Sequence, residues 1–187
     1  MSVVQIHTEG ISGVNAWQLL RELKSYLEPH LAILPLPVRG RNTQGQPAPL
    51  TTEGVDEAVP ALRPASVYVG SMPPTVNDAL SAAPFVVLQA MGGYDENGLH
   101  HITVALRLCI VSDDLEGAEQ DLHALISLLR LRLQHLLDKV LAQRFRITEG
   151  PDGYAPWERP DEQVIPFLQA HIMTLWQTKG VSHVSGV

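Results

Sequence analysis

The chain has 187 residues, of which 45% are hydrophobic, and its 20 acidic and 13 basic residues give a net charge of −7. That length and apolar content suffice for one domain that buries its own core, and the acidic balance argues against a protein that grips nucleic-acid phosphates. The single cysteine, Cys109, excludes an intramolecular disulfide. No basic segment followed by an apolar run opens the chain, and no uncharged apolar run approaches the ~20 residues of a membrane helix. We therefore expect a soluble protein that is made in the cytoplasm and has no membrane attachment.

The N-terminal third predicts one helix, an extended segment and a long arm. Asn15 is a candidate N-cap for a helix over Ala16–Glu28, which Pro29 should end. Leu31–Pro37 is apolar but contains two prolines, which favours an extended edge segment. Residues 39–64 are rich in proline and glycine and lack hydrophobic periodicity, so they predict a long loop or arm. Two interpretations stay open for this arm: a disordered insertion without a role, or a segment ordered by a neighbouring subunit.

A hairpin follows a short strand that we place at Ala65–Gly70. Phe85–Met91 and Ile102–Val111 are crowded with β-branched and aromatic residues, which suits strands, and Gly92–Gly98 between them permits a turn. The second strand alternates, which predicts a core face and a semi-buried opposite face. The core face comprises Ile102, Val104, Leu106, Leu108 and Ile110, and the opposite face comprises Thr103, Ala105, Arg107, Cys109 and Val111.

A long amphipathic helix is predicted next. Asp113 and Glu116 fit a capping box, and apolar residues recur at spacings of three and four from Leu115 to Val140. Arg130, Arg132, Lys139 and Arg144 place positive charge in its C-terminal half, as the helix dipole prefers. A helix over 115–143 would be about 43 Å long at 1.5 Å per residue.

The C-terminal part predicts two more strands around a loop. Phe145–Thr148 is a short strand, Gly150–Asp161 is rich in turn residues, Phe167–Gln177 alternates as a closing strand, and 178–187 is a flexible tail. The element order predicts a single α+β domain over 1–187, with a mostly antiparallel sheet on which one long helix and a shorter N-terminal helix pack.

We find no signature of catalysis or metal binding. The eight histidines lack the spacing of a metal site, no Gly-x-Ser-x-Gly elbow occurs, and helix capping accounts for the acidic residues near Asp113. Cys109, inside a strand, is expected to be buried and inert. We therefore expect a protein that is not an enzyme and has no catalytic, metal-binding or cofactor-binding residues.

Two features suggest contacts with other molecules. Arg107 stands among apolar neighbours, either as an ion-paired structural residue or as a contact across a subunit boundary. Trp157, beside Pro156, is either a plug for its own domain or an interface anchor. The candidate interface residues are Tyr94, Asp95, Arg107, Trp157, Glu158 and Arg159.

One family shares this order of elements. Ala83–Gln89, the hairpin into Ile110–Asp113, the long helix, and Pro156-Trp157-Glu158 before a closing strand that ends near Trp176 together resemble the small tail terminator and tail completion proteins of long-tailed bacteriophages. The resemblance covers about Ala83 to Thr178, half of the chain, and lies in element order rather than in a fixed motif. The 39–64 arm is longer than this family leads us to expect.

The resemblance implies a function without catalysis. Members have an α+β fold with a sheet flanked by helices, form six-fold rings on the head-proximal end of the tail tube, stop its polymerisation and present a surface to the head-tail connector. It therefore implies a homo-oligomer, a hexamer, in the virion neck, with the tail tube protein and the connector protein as partners and no cofactor. DNA would pass through the lumen without specific binding. We expect the 39–64 arm and the 92–98 and 151–162 loops to carry the contacts.

Two alternatives stay open. Another neck or baseplate structural protein would share the ring-forming character but occupy a different place in the virion. A small-ligand-binding or unrecognised enzymatic α+β domain would need a pocket with convergent polar groups.

Overall fold

The computed structural model describes residues 12–38, 61–71, 82–111, 115–137, 140–163 and 167–179. Two helices and nine strands occupy these ranges. In chain order they are α1 (Ser12–Leu31), β1 (Pro35–Val38), β2 (Ala61–Pro64), β3 (Ser66–Val69), β4 (Phe85–Glu96), β5 (Leu99–Val111), α2 (Leu115–Gln134), β6 (Val140–Leu141), β7 (Phe145–Thr148), β8 (Trp157–Glu158) and β9 (Phe167–Lys179).

A seven-stranded sheet organises these elements. Its order is β3-β4-β5-β9-β7-β6, with β8 also paired to β9, while β1 and β2 form a separate two-stranded sheet. β5 and β9 pair antiparallel over their full length, from Leu99↔Lys179 to Val111↔Phe167. The predicted α+β class is confirmed. The sheet is mixed rather than uniformly antiparallel, because β3 runs parallel to β4.

Both helices pack on one face of the sheet. α1 lies against β3 and β4, and α2 lies against β5 and β9. The leucines Leu19, Leu23 and Leu27 of α1, and Leu125 and Leu129 of α2, are fully buried there. Their burial removes apolar area from water and stabilises the layer by roughly 1.5–3 kcal/mol for each side chain.

The strands present alternate residues to this layer. The five predicted core residues of β5, Ile102 to Ile110, are all at most 1% exposed, whereas Thr103, Arg107 and Val111 opposite are half-buried. On β9, Leu168, Ala170, Ile172, Thr174 and Trp176 are buried and the residues between them are half-buried. The predicted alternation is confirmed on β9. On β5 it holds only in part, because Ala105 and Cys109 of the opposite face are buried as well.

We call the side of the sheet turned away from both helices the outer face. A second, smaller cluster of buried apolar residues lies on it around Phe85, Val87 and Cys109. Burial there raises the pKa of the Cys109 thiol to about 12, because the thiolate is poorly solvated away from water.

The two helices are equal in length, at 20 residues each, so the prediction of one long and one shorter helix is wrong. α2 ends at Gln134, about 30 Å from its start. The apolar spacing continues beyond Gln134. However, Leu136 is a buried residue of a turn, and Val140 belongs to β6, where it pairs with Arg146 of β7. Apolar spacing alone therefore did not distinguish the end of a helix from a tight turn into a strand.

The predicted ends of α1 are also wrong. Asn15 lies inside the helix rather than before it, and its buried side chain accepts a hydrogen bond from Arg144. The helix continues beyond Pro29, because the Ala32 amide still bonds to Glu28 O and Leu31 is 1% exposed. That burial offsets the backbone bond that the proline removes.

The hairpin is confirmed, but its loop is shorter than the predicted 92–98. β4 continues to Glu96 and β5 begins at Leu99, which leaves only Asn97 and Gly98 in the turn. Their φ angles of 52° and 75° are both positive, as a two-residue hairpin turn of the favoured twist requires. The register shifts between Ala90 and Gly92, which marks a β-bulge.

Other predicted boundaries meet the described ranges only in part. Residues 61–64 of the predicted 39–64 arm form β2, and 39–60 lie outside the described residues. Thr178 and Lys179 of the predicted 178–187 tail belong to β9, and 180–187 lie outside. The helix cap at Asp113 also lies outside, and the single domain over 1–187 stays a prediction.

Candidate interaction surface

The half of β4 nearest the turn is an open edge of the sheet. β3 pairs with β4 only from Phe85 to Leu88, and the Gly70 amide then donates to Leu88 O at 2.8 Å. From Gln89 to Glu96, β4 pairs only with β5 among the residues that the structure describes. An open edge presents unpaired backbone donors and acceptors, and is a natural place for another chain to add.

Two candidate residues, Tyr94 and Asp95, lie on this edge and each contacts a buried histidine. The Tyr94 ring stacks on His101, with centroids 4.5 Å apart and planes at 4°. Asp95 Oδ1 lies 2.7 Å from His100 Nδ1. Tyr94 is nevertheless 50% exposed and the Asp95 side chain 77% exposed. The two side chains are therefore oriented by their own chain while at least half of the surface of each stays exposed to a partner.

Arg107 lies in the middle of the outer face. It is in register with Val87 on β4 and His171 on β9, and His171 is in register with Glu158 on β8. Its Nε atom is buried without a hydrogen-bond partner in the described ranges, and no carboxylate there forms an ion pair with it. The ion-paired interpretation of Arg107 is therefore not met within the described residues.

The charge of Arg107 acts on its neighbour. Burial is the main cause that lowers the pKa of His171, the positive charge of Arg107 lowers it further, and the Glu158 carboxylate opposes both. At pH 7 the neutral form of His171 is therefore favoured. Arg107 is then the main positive charge among the residues in register across the outer face here, which are Val87, Arg107, His171 and Glu158.

Trp157 and Arg159 lie on the helix side of the sheet. Trp157 is in register with the buried Ile172, is 37% exposed, and meets the His123 ring of α2 edge-on at 5.4 Å. Arg159 Nη1 donates to Glu119 Oε2 of α2 at 2.8 Å. Both side chains therefore attach the loop to α2. These contacts are those of a residue that plugs its own domain, although Trp157 is still 37% exposed.

The six candidate residues do not form one site. Tyr94 and Asp95 lie at the hairpin end, Arg107 and Glu158 lie mid-sheet on the outer face, and Trp157 and Arg159 contact α2. Gln177 of β9 is in register with the hairpin end, and it lies about 20 Å along the strand from His171, at ~3.3 Å per residue. The hairpin end and the middle of the outer face are therefore separate surfaces.

A basic edge that the sequence pattern did not predict lies at the β7–β6 end of the strand order, across the sheet from β4. Arg144 and Arg146, beside β6 and in β7, are both exposed. Arg144 donates to Gln18 Oε1 at 2.7 Å and also to Asn15, which are neutral partners. Arg144 was interpreted as part of a helix end, whereas the alternation of Phe145, Arg146 and Ile147 was the signal that placed a charge on a strand.

A cleft of about 300 Å³ lies beside α2. It is lined by Ser127, Arg130, Leu131, Gln134 and Tyr154. The Tyr154 hydroxyl is buried without a hydrogen-bond partner in the described part of the chain. Its pKa is raised chiefly by burial and further by Tyr26, while Arg130 opposes the shift. The lining is polar, and nothing in the sequence pattern pointed to it.

Within the described ranges, no group of three or more histidine, cysteine or acidic residues is placed to hold a metal ion. In the same ranges, neither helix is long and apolar enough to cross a membrane.

Comparison with known proteins gives no match: no protein-family model fits the chain, and no curated protein resembles it in sequence.

Proposed function

We propose that this chain is a structural protein of a bacteriophage virion, a tail terminator. In this proposal it forms a hexameric ring at the head-proximal end of the tail tube, stops tube polymerisation and joins the tail to the head-tail connector. The proposal begins from the shared element order between Ala83 and Thr178. The observation that supports it best is the edge of β4, where half-exposed Tyr94 and Met91 accompany strand backbone that no other described strand pairs with on that side.

A ring subunit needs surfaces that its neighbours complete. Both helices pack on one face of the sheet, and the outer face carries half-buried Met173 and Leu175 beside Arg107. Mixed apolar and polar surface with an arginine is typical of protein–protein interfaces. We assign the outer face and the hairpin end to contacts with neighbouring subunits, the tube protein and the connector protein.

The acidic balance suits passage of DNA. A net charge of −7 repels phosphate groups, so a lumen built from this chain would let the genome slide without specific binding. In this role the chain needs no catalytic residue, metal or cofactor, and its place is the neck of the virion after synthesis in the host cytoplasm.

Silencing the gene during infection tests the proposal. Electron microscopy should show tails of irregular excess length that fail to join filled heads. Tails of normal length with a defect elsewhere would move the chain to another neck or baseplate position. Intact infectious virions would contradict a structural role altogether.

The small-ligand-binding alternative has one observation in its favour, the cleft at Tyr154, whose hydroxyl has no hydrogen-bond partner among the described residues. Its volume is at the lower limit of ligand pockets, which span about 300–1,000 Å³. Thermal unfolding in the presence of a library of small organic anions separates the two functions. A ligand-binding domain gains stability with one of them in proportion to its concentration, whereas a terminator gains none.

A further inference from the structure

Two edges of the sheet have no further described strand beside them at the same position along the strands. One row of residues in register crosses the sheet there, on the outer face. The row runs Tyr94, His101, Gln177, Arg146, Val140. It begins on β4 and ends on β6, and among the described residues no further strand pairs with either end at this level. A straight continuation of the sheet is therefore possible on both sides.

The two edges carry opposite charge. Asp95 and Glu96 are exposed on the β4 side, and Arg144 and Arg146 are exposed on the β6–β7 side. The hydrogen-bond partners of Arg144 are neutral amides, so its charge is not compensated by them. Within the described residues, Arg146 takes part in none of the ion pairs.

Each edge also exposes apolar surface. Met91 and Tyr94 are 49% and 50% exposed on the β4 side, and Val140 is 46% exposed on β6. Charge and apolar surface therefore match between the two edges at one level of the sheet. Two copies of the β4 edge, in contrast, would place no basic side chain opposite either carboxylate.

We infer that the β4 edge, Met91–Glu96, binds the β6–β7 edge, Val140–Arg146, of a second copy of this chain. The carboxylates of one copy face the guanidinium groups of the next, and Tyr94 packs on Val140. Since β6 has only two residues, side-chain contacts outweigh backbone pairing in this contact. The partner surfaces differ, so the contact is head-to-tail and generates a ring when the rotation between copies closes. Its role in the virion rests on the proposed terminator function.

Cysteine cross-linking tests the geometry. Tyr94→Cys and Val140→Cys place thiols on the two edges, and the natural Cys109 is 1% exposed and does not compete. With a short bismaleimide, a mixture of the two purified variants should give a dimer, and the chain with both substitutions should give a ladder of oligomers. A dimer from Tyr94→Cys alone would show a symmetric contact and overturn the inference. No product from the mixture at high protein concentration would also overturn it.

A charge exchange tests the chemistry. Glu96→Arg and Arg146→Glu should each reduce the yield of cross-linked product about tenfold, because like charges then face each other across the edge. The two substitutions together should restore most of the yield. Glu116→Arg is the matched control, since Glu116 is exposed at the start of α2, which follows the end of β5 away from the hairpin, and the yield of this variant should stay unchanged. Loss without restoration in the double variant would contradict the pairing.

The proposed contact and the proposed function can be contradicted independently of each other. A cross-linked ladder from a gene whose silencing leaves tails normal would keep the contact and reject the terminator. Overgrown tails without any cross-link between the two edges would keep the terminator and reject this contact.

Discussion

A buried hydrogen-bond chain beneath the sheet allows a test of the core. Trp176 Nε1 donates to Thr174 Oγ1 at 2.9 Å, and that hydroxyl donates to Val104 O at 3.0 Å. Trp176 is 0% exposed and Thr174 is 4% exposed. The Thr174 hydroxyl therefore satisfies a tryptophan N–H that has no access to water.

Thr174→Val keeps the shape of the side chain and removes both bonds. The unpaired indole N–H costs about 1–3 kcal/mol, and the lost bond to Val104 O about 1 kcal/mol. We expect the free energy of unfolding to fall by roughly 2–4 kcal/mol in urea titrations, with a Tm lower by roughly 5–15 °C for a chain of this size.

Thr178→Val is the matched control on the same strand and face. Thr178 is 2% exposed, and its hydroxyl is buried without a partner in the described residues. Removal of an unsatisfied hydroxyl should leave stability unchanged or raise it. If both variants unfold within about 0.5 kcal/mol of each other, the hydrogen-bond argument is refuted.

Three further predictions concern the hairpin, the cysteine and a histidine. Gly93→Ala should destabilise the protein, because a Cβ there would lie 2.5 Å from His101 O. Gly92→Ala should not, because no atom of the described residues lies within 4 Å of a Cβ at that position; equal urea midpoints would contradict this. Burial raises the pKa of Cys109 to about 12, so iodoacetamide at pH 8 should label the unfolded chain and not the native one; rapid native labelling would contradict it. Burial and neighbouring charge lower the pKa of His171 from 6.5, so the unfolded chain takes up that proton first and stability falls as the pH drops below about 6.5. His171→Gln should reduce this fall, and an unchanged slope between pH 7 and 5 would refute the assignment.

The elements that were predicted correctly are those whose pattern has one physical reading. Alternation over the second strand of the hairpin placed Ile102 on the core face, and alternation over Phe167–Gln177 predicted the closing strand, because a strand with one buried face must alternate. The hairpin followed from Asn97-Gly98, a pair that tolerates positive φ at both positions.

The errors occur where local pattern is ambiguous. Leucine spacing beyond Gln134 fits a helix as well as a turn, and only the pairing of Val140 with Arg146 decides it. The parallel pairing of β3 on β4 is a long-range choice that no local residue encodes. Trp157 is predicted in an irregular loop, but with Glu158 it forms the two-residue strand β8. It can pair there because β7 pairs only with Leu175–Gln177 of β9 and leaves His171 and Ile172 for β8.

The candidate surface was predictable only in part. Tyr94 and Asp95 were placed by the turn that precedes the second hairpin strand, and Arg107 by its polarity among apolar residues. The basic edge at Arg146 could not be predicted from the sequence. That Arg146 lies in register with Tyr94 across the sheet depends on the pairing of four strands, which no local pattern specifies.

Reconstruction of the neck of purified virions by electron cryo-microscopy would show directly whether this chain forms the ring at the head-proximal end of the tail tube. We expect six copies of this fold in a ring between the tail tube and the connector, with the hairpin edge of each copy against the β6–β7 edge of the next. Density for this chain elsewhere in the virion, or its absence from the particle, would contradict the proposed function.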